Sequence, residues 1–123
     1  MSGYRWFLPC LALALVCVAA ESRAQSTPQQ YVVIYVEFLP AEANHGKKLV
    51  DDLARHSLQS PGVINFSAVR ETDRSNRFAL IERWSSAPVY QAYKASSTWT
   101  TFLTAAQPLL AAPLDERDGV LLQ

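Results

Sequence analysis

Nine residues, Asn76-Arg77-Phe78-Ala79-Leu80-Ile81-Glu82-Arg83-Trp84, constrain the fold of this chain more than any other stretch. Most suit a pleated, half-buried strand, and Phe78, Leu80, Glu82 and Trp84 share one face at period two. A carboxylate on an apolar face needs a partner or a changed pKa. The strand is fenced on both sides. Asp73-Arg74-Ser75-Asn76 is turn chemistry, and Ser85-Ser86-Ala87-Pro88 is a helix start.

The length of 123 residues, without an internal repeat, allows one domain. Eleven basic residues balance eleven acidic ones, and no Arg/Lys stripe suits a nucleic acid. The N-terminus carries its own message. Arg5 precedes fifteen uncharged, mostly apolar residues, Trp6 to Ala20, and Ser22-Arg23-Ala24 places small residues where a signal peptidase reads them. The run is short for a membrane span, which needs ~20 apolar residues. Residues 1–24 therefore read as a secretory signal peptide, with cleavage after Ala20 or an uncleaved anchor as alternatives. Val16 is too large for the residue that precedes a lipoprotein cysteine such as Cys17. The expected location is periplasmic or secreted, with no membrane attachment after cleavage. Cleavage after Ala24 removes Cys10 and Cys17 and leaves nine basic and ten acidic residues. The mature protein then has no thiol nucleophile, thiolate metal site or disulfide. It holds together by packing alone, and at that length dimerisation would help.

Gln25 to Gln30 reads as a polar tail, and residues 31–122 as the domain. The first strand runs from Tyr31 to Leu39. Val32, Ile34, Val36 and Phe38 form a dry face, and Val33, Tyr35, Glu37 and Leu39 a mixed one. Ala41 to Leu58 reads as a helix with an apolar stripe of Leu49, Val50, Leu53, Ala54 and Leu58, weakened at Gly46. Ser60-Pro61-Gly62 stops it. The second strand, Val63 to Glu71, sets Ile64, Phe66 and Ala68 against Val63, Asn65, Ser67 and Val69. It makes a hairpin with the third. A short helix to Ala95 follows, then a second from Thr98 to about Gln107, capped by Ser96 or Ser97. Leu114 to Leu122 closes as a strand. The order β-α-β-β-α-β predicts an α+β ferredoxin-like fold, a four-stranded antiparallel sheet with helices on one face.

Several residues then assemble into a pattern. A Pro-Gly turn precedes a strand. D-x-x-N-R-F-x-L-x-E-x-W follows (Asp73, Asn76, Arg77, Phe78, Leu80, Glu82, Trp84), then a short helix. Next come an S-x-x-[FW]-x-x-F helix (Ser96, Trp99, Phe102) and a closing Pro-Leu-Leu-Ala-x-Pro. This resembles the antibiotic biosynthesis monooxygenase family, the dimeric α/β-barrel group that includes quinol monooxygenases, over nearly the whole mature chain. The resemblance implies a homodimer with sheets meeting face to face and a pocket between sheet and helices. It also implies oxidation of a phenolic or quinol-type substrate by O2 without metal, flavin or haem. An ionised polyphenol can itself donate an electron to oxygen. Two positions that carry histidine in the family read Tyr93 and Thr98 here. The Asn and His of the haem-degrading branch read Ile34 and Leu103, which leaves a haem iron no axial imidazole.

The residues named for the site are Glu82 and Tyr93 for catalysis, and Trp84, Trp99, Asn65 and Phe102 for substrate binding. Each has a plainer reading. Glu82 could pair with Arg77 or Arg83. Tyr93, Trp84 and Trp99 could be core or dimer packing. Asn65 could lie exposed or at an interface. His45 and His56 are eleven residues apart, ~16 Å along one helix, too far to share a metal, and read as surface histidines. The leading expectation is a secreted, cofactor-free monooxygenase. The alternatives are a non-catalytic dimer that binds a small aromatic ligand and a dimerising domain with a filled pocket.

Overall fold

A computed structural model describes residues 27–123, together with Gly3. The assigned leader and its cleavage site lie outside the described residues, apart from Gly3.

β1 (Gln30–Glu37), α1 (Ala43–Ser57), β2 (Val63–Arg70), β3 (Arg77–Trp84), α2 (Ala87–Lys94), α3 (Ser97–Ala106) and β4 (Asp115–Gly119) follow one another along the chain. The strands form one antiparallel sheet in the order β2-β3-β1-β4. This is the ferredoxin-like arrangement that the sequence pattern predicts, and the helices cover one face. Among the described residues no helix is long and apolar enough to cross a membrane.

Period two decides which side chains meet the helices. Val32, Ile34 and Val36 of β1 are each about 1% exposed, and Phe38 beyond them is fully buried. Opposite them, Phe78, Leu80, Glu82 and Trp84 of β3 are buried on the same face. Tyr35, Val69 and Ile81 point the other way and stay exposed.

β2 departs from simple alternation. Val63 pairs with Trp84 and Asn65 with Arg83, so Ile64 is an extra residue on its strand. That bulge returns Val63 to the helix-covered face and leaves Ile64 39% exposed. The expected faces at Val63 and Ile64 are therefore corrected; those of Phe66 and Ala68 hold.

α1 buries Gly46, Val50, Leu53 and Ser57, spaced at four, three and four residues. Leu58, expected on this stripe, sits one step round the helix and is exposed. Gly46 is no weak point in context. A Cβ there would lie 2.3 Å from the Phe38 ring, so only glycine lets α1 approach β1 this closely. Gly62 has φ +76° and turns the chain from α1 into β2. Ser86 caps α2 by accepting from the Val89 amide at 3.3 Å. Ser96 occupies the same position before α3 but does not cap with its side chain; its Oγ donates to the Tyr93 carbonyl at 2.6 Å instead. The last strand ends at Gly119, and Val120, Leu121 and Leu122 beyond it are exposed.

Candidate functional site

Glu82 lies in the middle of the covered sheet face, 1% exposed, between its cross-strand partners Val32 and Phe66. Arg77 and Arg83 do not pair with it, because residues at odd spacing on a strand point to the opposite face. Its partner is two residues on: Trp84 Nε1 donates to Glu82 Oε1 at 2.9 Å. Oε2 has no hydrogen-bond partner among the described residues. Burial pushes the Glu82 carboxyl from 4.5 up to about 7. The indole N–H acts in the opposite sense, Glu116 adds to the rise, Lys94 opposes it and Asp118 adds again.

Above this carboxyl lies a run of rings from β3, α2 and α3. The Trp84 and Tyr93 centroids are 4.3 Å apart, Trp84 and Tyr90 5.9 Å, and Tyr93 and Trp99 6.1 Å. Phe66 meets Tyr93 from the sheet, and Phe102 extends the run beyond Trp99. The two phenols are held differently. Tyr93 Oη and the buried Ser57 Oγ are 2.7 Å apart in a hydrogen bond that ties α2 to α1. Tyr90 donates to Glu116 on β4, which also accepts from Lys94. Burial raises the pKa of both tyrosines, and the nearby Glu82 charge raises it further. Both phenols are therefore neutral at ordinary pH, and Tyr90 is the donor of its bond.

Two clefts open among the helices. The larger, about 500 Å3, lies between the end of α1, the Ser60-Pro61 turn and α2, with Tyr93 in its wall. The second, about 330 Å3, runs between α1 and α3 and is lined by Phe102. Both are of a size for a small organic ligand. His56 and Thr98 line both clefts and so stand at the border where the two meet or divide.

The six named residues divide sharply. Tyr93 and Phe102 reach a cleft. Glu82, Trp84 and Trp99 sit behind Tyr93 in the buried ring stack and line neither cleft. Asn65 is a correction. The Ile64 bulge leaves it opposite Arg83 on the helix-free face, exposed, with its Nδ2 3.2 Å from Ser67 Oγ.

The sequence model of the antibiotic biosynthesis monooxygenase domain matches residues 30–105, more than half of the chain. The chain belongs to the antibiotic biosynthesis monooxygenase family. Solved structures share the fold at low identity. A candidate antibiotic biosynthesis monooxygenase from Nitrosomonas europaea superposes with a TM-score of 0.73 at 18% identity, covering 78% of this chain and 92% of that one. Another from Caulobacter crescentus gives 0.72 at 17%, covering 80% and 93%. A Pseudomonas aeruginosa protein gives 0.74 at 14%, covering 80% and 98%. No curated protein matches the sequence.

Within this antibiotic biosynthesis monooxygenase fold, three residues join the site that the sequence reading had not placed there. Tyr90 carries no signal of its own in the sequence, because its bond to Glu116 depends on β4 passing beneath α2. Ser57 lies one position from the leucine credited to the α1 stripe; spacing from Val50 and Leu53 would have found it. By sequence alone His56 reads as a surface histidine. It is exposed, but it is exposed to the clefts.

Proposed function

We propose that this family member is a secreted, cofactor-free monooxygenase that oxidises a quinol or related polyphenol with O2. One observation carries the reading. An open cleft of about 500 Å3 has Tyr93 in its wall, and Tyr93 packs through Trp84 onto a buried carboxyl held near pH 7. A flat phenolic ring suits an aromatic-walled cleft. In this reading Tyr93 Oη accepts from Ser57 Oγ and donates its own proton to a substrate oxygen, steadying the anion that forms there. Glu82 lies behind the ring stack, and its charge adds to the effect of burial on both phenols. The overall reaction balances as hydroquinone plus O2 giving hydroxyquinone plus water. Oxygen takes four electrons, two from quinol oxidation and two from the C–H bond that becomes C–OH. Secretion is supported by the leader-like N-terminus.

The reading includes a homodimer. Tyr35 (47% exposed), Val69 (48%) and Ile81 (43%) form an apolar patch on the helix-free sheet face, and a second copy offers the same patch in return.

The test is oxygen uptake by the protein from Gln25 onward with 1,4-dihydroxynaphthalene and anthrone, with chelator present and autoxidation subtracted. Heat-labile uptake supports the reading, and its absence across pH overturns it. The burial of Glu82, Trp84 and Trp99 favours a second reading, a binder of aromatic ligands without turnover. Saturable quenching of tryptophan fluorescence by the same compounds, with no oxygen consumed, would select it.

A further inference from the structure

The border of the two clefts holds an imidazole whose tautomer the fold sets. His56 Nδ1 lies 2.8 Å from the backbone carbonyl oxygen of Asp52, one turn earlier on α1. A carbonyl only accepts, so Nδ1 carries the proton and donates it. In the neutral ring the lone pair then belongs to Nε2, on the edge turned away from the helix backbone. Nε2 makes no hydrogen bond among the described residues. Thr98 of α3 shares the lining of both clefts with His56, and Tyr93 of α2 shares that of the larger one. Asp52 is the one charged group lining either cleft, and Arg55 pairs with it on the same helix.

We propose that His56 Nε2 is the proton acceptor of this site and takes the hydroxyl proton of a phenolic ligand bound at the border of the two clefts. The inference rests on the reading that the cleft takes a phenolic ring. The O–H bond breaks, an N–H bond forms at Nε2, and the products are a phenolate and an imidazolium. The Nδ1–H bond to the Asp52 carbonyl persists throughout and keeps the ring in place. Buried neutral tyrosines cannot take this proton, and Glu82 lines neither cleft. His45 cannot replace His56. It lies in the first turn of α1, pairs with Glu42 at 3.4 Å and lines neither cleft.

The experiment compares the wild type with His56→Asn, whose amide can still donate to the Asp52 carbonyl but offers no basic nitrogen, and with His45→Asn as control. Oxygen uptake with 1,4-dihydroxynaphthalene should fall roughly a hundredfold in kcat for His56→Asn. Added imidazole should restore part of it, and His45→Asn should be unaffected. A second readout needs no turnover: the visible absorbance of bound 4-nitrophenol below its own pKa. The wild type should hold it as the yellow phenolate and His56→Asn as the colourless phenol. Oxygen uptake equal in both proteins overturns the role of His56 and leaves the monooxygenase reading standing. If neither protein consumes oxygen, the monooxygenase reading falls and the nitrophenol spectra decide: phenolate in the wild type alone sustains His56, and matching spectra overturn it.

Discussion

Trp84 donates its indole N–H to Glu82 Oε1 across 2.9 Å, two residues apart on one strand and both sealed beneath the helices. The bond needs only an acceptor at Oε1, which the protonated acid and an amide both supply. Burial, working against that bond, holds Glu82 protonated to about pH 7 in the folded protein, whereas the unfolded chain releases that proton near 4.5. Between these values the native state binds more protons. The Glu82 contribution to stability is complete below about 4.5, falls as pH rises, and levels off above about 7. At about 1.36 kcal/mol per pH unit the full effect is roughly 3 kcal/mol. Glu82→Gln should flatten this slope and be roughly 1–3 kcal/mol more stable than the wild type at pH 8. Urea denaturation of both proteins from pH 4 to 8 checks this; parallel curves would show that Glu82 does not titrate in that range.

Gly46→Ala sets two effects against each other. Alanine favours a helix interior over glycine by ~1 kcal/mol. Its Cβ, however, would meet a Phe38 ring that is fully buried and packed edge-on against Phe78 at 5.8 Å. Overpacking costs about 1–3 kcal/mol, so the substitution should lower the denaturation midpoint. Adding Phe38→Leu should recover part of the loss relative to Phe38→Leu alone. A midpoint at or above wild type would mean that α1 shifts freely on the sheet.

Tyr93→Phe removes a hydroxyl and strands another. Ser57 Oγ is fully buried and loses its partner, at a cost of ~1–3 kcal/mol. Ser57→Ala should cost a similar amount. The double variant should cost less than the two single changes added together, because neither polar atom is then left alone. Additive losses in a double-mutant cycle would show that the pair is not coupled. The proposed function adds a lower oxygenation rate for Tyr93→Phe.

Ile81→Lys places a charge within the exposed patch on the helix-free face while leaving the covered face untouched. A dimer through that face should become monomeric, as sedimentation velocity would report. Wild-type protein that sediments as a monomer at all concentrations would remove the dimer from the reading.

The two central strands were legible because their chemistry repeats at the period of their geometry. Val32, Ile34 and Val36, like Phe78 and Leu80, announce their face residue by residue. The bulge at Ile64 was not, since one inserted residue changes no composition, yet it moves Val63 inward. The closeness of Gly46 to Phe38 was hidden because the two come from separate elements joined by a turn. The partner of Glu82 was sought among arginines because charge suggests charge, whereas strand geometry offers only Trp84 on the same face. The clefts themselves depend on how three helices settle, which no periodicity encodes. His56 therefore read as solvated although its solvent is the interior of a groove.

The ring stack has a further consequence. Trp84 and Trp99 both lie next to Tyr93, held at fixed tilts within a few ångströms, and Tyr93 forms part of the wall of the larger cleft. Chromophores locked this close in an asymmetric array couple their electronic transitions. The near-ultraviolet circular dichroism of this domain should be dominated by that single cluster. A colourless, non-fluorescent molecule entering the cleft would then announce itself by altering the sign or shape of the aromatic bands, without any label.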